Sequence, residues 1–174
     1  MSTHLDGQLL MDLADRLAHR YYGKYRGTVV DTDPGTMRIK ASVPAVLGEV
    51  ASGWCLPCVP YAGPQMGLFM LPEIGASVWV EFEGGDVSYP IWAGCFWLAS
   101  QVPSDASDHV RGIVTSAGNK MLFDDQAPSV TTEDPNGNSL TLDSSGTTVA
   151  NGSQNLVVSS SSVSVDSGAW QVTG

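Results

Sequence analysis

The chain has 174 residues, enough for one full domain with an appendage or for two small domains. Eighteen acidic residues against eight basic ones give a formal net charge of −10, which argues against a protein built to grip phosphate backbones. At 43% hydrophobic it is too apolar for wholesale disorder, yet only 15% of its residues are charged, and Gly, Ser and Thr fill the gap.

The first turns carry Asp6, Asp12 and Asp15, unlike a secretory leader, and no apolar run reaches bilayer length, so a soluble product made in the cytoplasm is expected. From Leu5 to about Tyr22, Leu5, Leu9, Leu13 and Leu17 recur at i, i+4, with Leu10, Ala14 and Tyr21 widening the stripe. This predicts an amphipathic helix within residues 1–23 that buries its stripe against its own domain or a partner.

Residues 24–99 switch to period two. Met37, Ile39, Ala41 and Val43 alternate with Arg38, Lys40 and Ser42, and Val78, Val80 and Phe82 with Trp79, Glu81 and Glu83. Tyr25 to Val30, Trp54 to Val59 and Ile91 to Trp97 are further strand candidates, separated by turn signals such as Asp33-Pro34-Gly35 and Gly63-Pro64. Five strands in so short a span predict a small closed barrel of OB type, because an open sheet would leave edges exposed.

Residues 100–122 read as a linker and transition segment, and residues 123–174 differ in kind. After Lys120 there is no Lys or Arg, and more than half of the residues from Ser139 onward are Ser, Thr, Gly or Asn. Composition alone would favour a disordered tail. However, Leu142, Val149, Leu156, Val163 and Trp170 recur every seven residues, and Val158, Val165 and Val172 keep the same interval. Glycine, serine and valine disfavour a coiled coil and favour short rungs joined by tight corners, expected at Ser144-Ser145-Gly146, Asn151-Gly152 and Asp166-Ser167-Gly168, a β-solenoid pattern. Rungs this narrow cannot enclose a core alone. A homotrimer with these eight residues pointing inward, and Ser and Thr outward, solves the burial problem.

Leu71-Pro72-Glu73-Ile74-Gly75-Ala76-Ser77-Val78-Trp79-Val80-Glu81-Phe82, leading into Gly85-Asp86, Pro90 and Gly94, resembles the OB-domain signature of phage baseplate spike proteins and VgrG-type spikes of contractile injection systems. Gly118-Asn119-Lys120-Met121-Leu122-Phe123-Asp124-Asp125 is similar to that family's barrel-to-helix transition, and Asn136-Gly137-Asn138-Ser139-Leu140-Thr141-Leu142-Asp143 to its first β-helix rung. The resemblance implies a mainly β protein: N-terminal helix, OB barrel, then a short intertwined triple-stranded β-helix. It implies a non-enzymatic central spike of a virion or injection particle, seated on a trimeric hub below the tail tube and contacting the target membrane transiently as it pierces the envelope. The chain departs from the family in having no length for an enzyme module and a seven-residue rather than eight-residue repeat. It also lacks a terminal His-x-His metal motif, since the last histidine is His109. A separate PAAR-type tip protein is therefore expected at the C-terminal end. No cofactor or nucleic acid is expected.

Other constellations are weaker. Cys55-Leu56-Pro57-Cys58 lacks the second ligand pair of a zinc site and reads as buried small hydrophobes. Asp124 and Asp125 read as turn-capping groups rather than a catalytic pair, and His4, His19 and His109 accompany no nucleophile motif. Trp79, Trp92 and Trp97 suggest either a stacking platform or aromatic packing. The rival reading of the whole chain is an OB-fold ligand-binding module, for an oligosaccharide or a protein, with a flexible acidic tail.

Overall fold

A computed structural model describes residues 3–166 and 169–173, the side chains of 3–6 and 15–18 excepted. The chain divides into two compact units, Met1–Ser100 and Gln101–Gly174.

In the first unit, α1 (Thr3–Ala18) is followed by β1 (Tyr25–Asp33), β2 (Arg38–Ser42), the short helix α2 (Pro44–Leu47), β3 (Leu56–Pro57), β4 (Ala62–Gly63), β5 (Met66–Gly67), β6 (Ser77–Phe82) and β7 (Pro90–Cys95). Five strands form one sheet in the order β2-β1-β6-β7-β3. The sheet closes because Cys55, next to β3, bridges back to Ile39 in β2, its amide donating to the Ile39 carbonyl at 2.8 Å. This is a five-stranded barrel, as the alternation predicted. The inward set is Val29, Ile39, Ala41, Val43, Cys55, Val78, Val80, Phe82 and Trp92. On β6 the pattern is strict: Val78, Val80 and Phe82 are buried while Trp79 and Glu81 face out.

Three details differ from the sequence expectation. The helix stops at Ala18, and Tyr21 leaves the stripe to pack edge-on against Tyr25 and Phe82, with its amide donating to the Gly85 carbonyl at 2.9 Å. Met37 belongs to the β1–β2 turn, with φ of 56°, and its carbonyl accepts the Trp92 indole N–H instead of its side chain joining the core. The candidate strand from Trp54 shrinks to Leu56–Pro57, since Pro57 and Pro60 have no amide to donate. On α1, Leu9, Leu10, Met11 and Leu13 are exposed, whereas Leu5 and Leu17 lie outside the described side chains.

The second unit is a ladder of eight strands paired in sequence order: β8 (Val110–Val114), β9 (Lys120–Asp124), β10 (Ser129–Glu133), β11 (Asn138–Asp143), β12 (Gly146–Asn151), β13 (Gln154–Val158), β14 (Ser162–Val165) and β15 (Trp170–Thr173). It opens at Val110, inside the segment read as a linker. Each corner reverses the chain, so every neighbouring pair is antiparallel, a meander within one chain rather than successive coils. The region that composition alone would assign to a flexible tail is therefore ordered as strands. The corners at Ser144-Ser145 and Gly152-Ser153 fall where the turn residues put them; the one expected at 166–168 lies largely outside the described residues.

Gly146 shows why a corner needs its glycine. Its φ is +136°, and a Cβ there would stand 2.1 Å from the Val158 carbonyl oxygen. Gly53 has open space and no positive φ. Gly146→Ala should therefore destabilise the ladder by about 1–3 kcal/mol or more, while Gly53→Ala stays within about 0.5 kcal/mol of the parent. Thermal denaturation of the two variants side by side checks this.

Candidate functional site

The candidate site is a face of the ladder. Because side chains alternate along a strand, residues two apart share a face, and strand pairing then stacks them into columns. One column runs Ile113, Met121, Thr132, Leu140, Val149, Leu156, Val165 and Trp170, each residue directly opposite the next on the neighbouring strand. The second runs Arg111, Phe123, Val130, Leu142, Thr147, Val158, Val163 and Val172. Thirteen of these sixteen positions are apolar; the exceptions are Arg111, Thr132 and Thr147. Residues between the columns point the other way and are chiefly Thr131, Thr141, Thr148 and Ser164, with Leu122 and Val157 among them.

The apolar face is the open one in the single chain. Leu156 remains 39% exposed and Trp170 59%, and Leu142, Val149, Val158 and Val172 are exposed to similar degrees. Val163 and Val165 are half-buried. A sheet normally covers such a face with a second layer. Among the described residues, the strands of this unit form only the one sheet.

All eight residues singled out from the sequence lie in these two columns. The seven-residue interval is not itself the column spacing. Val149 does face Leu156 across its turn, but Leu142 faces Thr147 and Val130, Val163 faces Val158 and Val172, and Trp170 faces Val165. Steps of seven therefore hop between columns while staying on one face. Ile113, Met121, Phe123, Val130 and Leu140 extend the columns and were missed by a heptad search; the period-two pairs Met121/Phe123 and Leu140/Leu142 carry the signal that finds them.

Carboxylates set the corners. Asp134 Oδ1 accepts from the Asn136 and Asn138 amides (2.9 and 3.0 Å), while Oδ2 accepts from the Asn138 and Asn136 side chains (2.8 and 3.2 Å). Asp124 accepts from the Gln126 and Ala127 amides at 2.8 and 3.1 Å, and Asp125 pairs with Arg111. Asp124 is thus a turn-capping group, as the sequence indicated, whereas Asp125 serves an ion pair with Arg111 of β8 instead of a cap.

The other constellations disperse. Cys55 is buried beside the Ser52 hydroxyl, and burial pushes its thiol up. Cys58 and Cys95 are exposed, so the pair is not jointly buried as expected; Cys58 follows Pro57 out of β3. Trp92 is a core residue, Trp79 stacks on Phe96 with Arg26 over both rings, and Trp97 stands exposed, so the three make no common platform. Among the described residues, no three His, Cys, Asp or Glu side chains come together to hold a metal.

The Asp134 network gives a pH prediction. Hydrogen bonds from the Asn138 side chain, its amide and Asn136 lower the carboxyl from an ordinary 3.8 to about 2. A depressed folded-state value means stability present above pH 4 and lost as the pH falls from there toward 2. Asp134→Ala should lower the melting temperature at pH 6 and narrow its gap to the parent at pH 2, as measured by circular dichroism.

Comparison with known proteins agrees with this geometry. Residues 25–97 match the type VI secretion system/phage-baseplate injector OB domain, and residues 112–171 match the phage baseplate V C-terminal trimerisation domain. The second match begins within β8, where the ladder does. No curated protein matches the chain. With the barrel and the ladder each matched in turn, the chain belongs to the baseplate spike family of phage tails and VgrG-type injection systems, as a structural, homotrimeric baseplate component.

Proposed function

We propose that this protein is the central spike of a contractile tail or injection-system baseplate, and that the two apolar columns are the core of its trimer. The columns carry the reading. They are long, unbroken by any acidic residue, and open in the single chain. Leu142, Val149, Leu156, Val163, Trp170, Val158, Val165 and Val172, joined by Ile113, Met121, Phe123, Val130 and Leu140, then meet their counterparts from two other chains. At about 1.5–3 kcal/mol for each fully buried side chain, such a core outweighs what any one chain can recover alone.

The spike acts mechanically and not as an enzyme. Its barrels attach to a trimeric hub below the tail tube, and contraction drives the ladder end through the target envelope. The ladder after Lys120 carries six acids and no Lys or Arg, so nothing there binds polyanionic envelope sugars or nucleic acid as the ladder passes. β15 is an outer strand of the ladder, and an outer strand is the kind of surface on which a PAAR-type tip protein seats. Assembly takes place in the cytoplasm of the producing cell.

Leu156→Asp places a carboxylate in the proposed core, and Ser160→Asp places the same charge on an exposed corner. Native mass spectrometry should show the parent and Ser160→Asp at three times the 18.3 kDa chain mass, and Leu156→Asp chiefly as monomer. Particles assembled with Leu156→Asp should lack spike density and fail to permeabilise target cells. Normal particles from that variant would contradict the proposal.

A further inference from the structure

Between Glu49 and Glu73 the chain contains no charged residue. Within this stretch a strap leaves the barrel and returns. Val59 and Leu71 are packed against the core, and between them β4 and β5 pair as a hairpin, Ala62 opposite Gly67 and Gly63 opposite Met66. The strap has a fixed shape: the Leu68 amide donates to the Tyr61 carbonyl at 2.9 Å, and the Tyr61 hydroxyl sits 2.8 Å from the Met66 sulfur. Even so, its apolar side chains face outward. Phe69 is 77% exposed, Tyr61 57%, Met66 55% and Met70 51%. A contiguous apolar surface held in one conformation is the mark of a contact site. The ladder cores do not account for it.

We infer that this strap is a second trimer contact, in which each barrel seats Phe69 and its neighbours on the barrel of another copy of the chain. Two observations select a second copy. The first is charge. Each chain carries a net −10, so identical chains meet most favourably where no like charges are brought together, and the strap is such a place. The second is tether length. Lys120 in β9 pairs with Asp105 at 3.1 Å, each side chain only 28% exposed, which pins the connecting segment to the ladder unit. From Cys95 to Asp105 the chain spans at most about 35 Å. Three barrels tethered this closely to one trimeric ladder face each other at an effective concentration on the order of millimolar. Methionine and phenylalanine, adaptable and rigid respectively, suit a contact formed under that condition.

The inference rests on the trimer, so its test separates the two. A benzophenone-bearing phenylalanine analogue is placed at position 69 of the full chain, and in a parallel sample at position 156. Irradiation of the purified protein should give covalent dimers and trimers from both positions, with the position 69 links mapping to residues 25–97 of another copy. Links from position 156 alone would overturn the strap contact and leave the trimer standing. Links from neither, with a monomeric native mass, would overturn the trimeric spike as well. Links from position 69 to a co-expressed hub, in place of links between copies, would also overturn the strap contact.

Discussion

A single-layer sheet with one apolar face cannot be stable alone, and the rest of this molecule follows from that constraint. The ladder satisfies its backbone hydrogen bonds within one chain, strand against strand. Among the described residues, its two columns of leucine, valine, isoleucine and aromatic residues find no covering layer in their own unit. The barrel solves the same problem differently. Its sheet curls until Cys55 meets Ile39, and the inward set is buried without help. One chain thus holds a unit that buries its own core and one whose apolar face lies open, in agreement with an injector OB domain match over the first and a trimerisation domain match over the second.

The acidic composition has a local cause. Asp33, Asp86, Asp124, Asp134 and Asp143 each accept amide hydrogen bonds from residues two to four ahead, at turns between strands or rungs. A chain of many short strands needs many corners, and aspartate serves them without demanding a partner cation. Part of the net charge is therefore turn chemistry.

Periodicity made much of the fold legible. Val78, Val80 and Phe82 announce a half-buried strand because one face of β6 packs on the core. In the ladder, the seven-residue recurrence picked out eight residues that share the apolar face, since a short strand plus a tight corner comes close to that length. It left the columns undefined, because register is set by turn geometry and an interval cannot encode which residue lies opposite which. It also lost the first two strands, where Arg111, Gly112 and Lys120 interrupt the Ser/Thr-rich composition that marked the rest. Tyr21 and Met37 escaped for a related reason: apolar residues just beyond an element join whatever surface the turn offers them. The strap at residues 60–70 has no period at all, and only the structure shows that its apolar side chains face outward.

The most direct measurement is an experimental structure of the purified full-length protein by cryo-electron microscopy. The account predicts three ladders around one axis, with both apolar columns of each chain turned inward and Leu142, Val149, Leu156 and Val163 excluded from solvent. Ladders that associate through the Thr131–Thr141–Thr148 face, or columns covered by an element of their own chain, would contradict it.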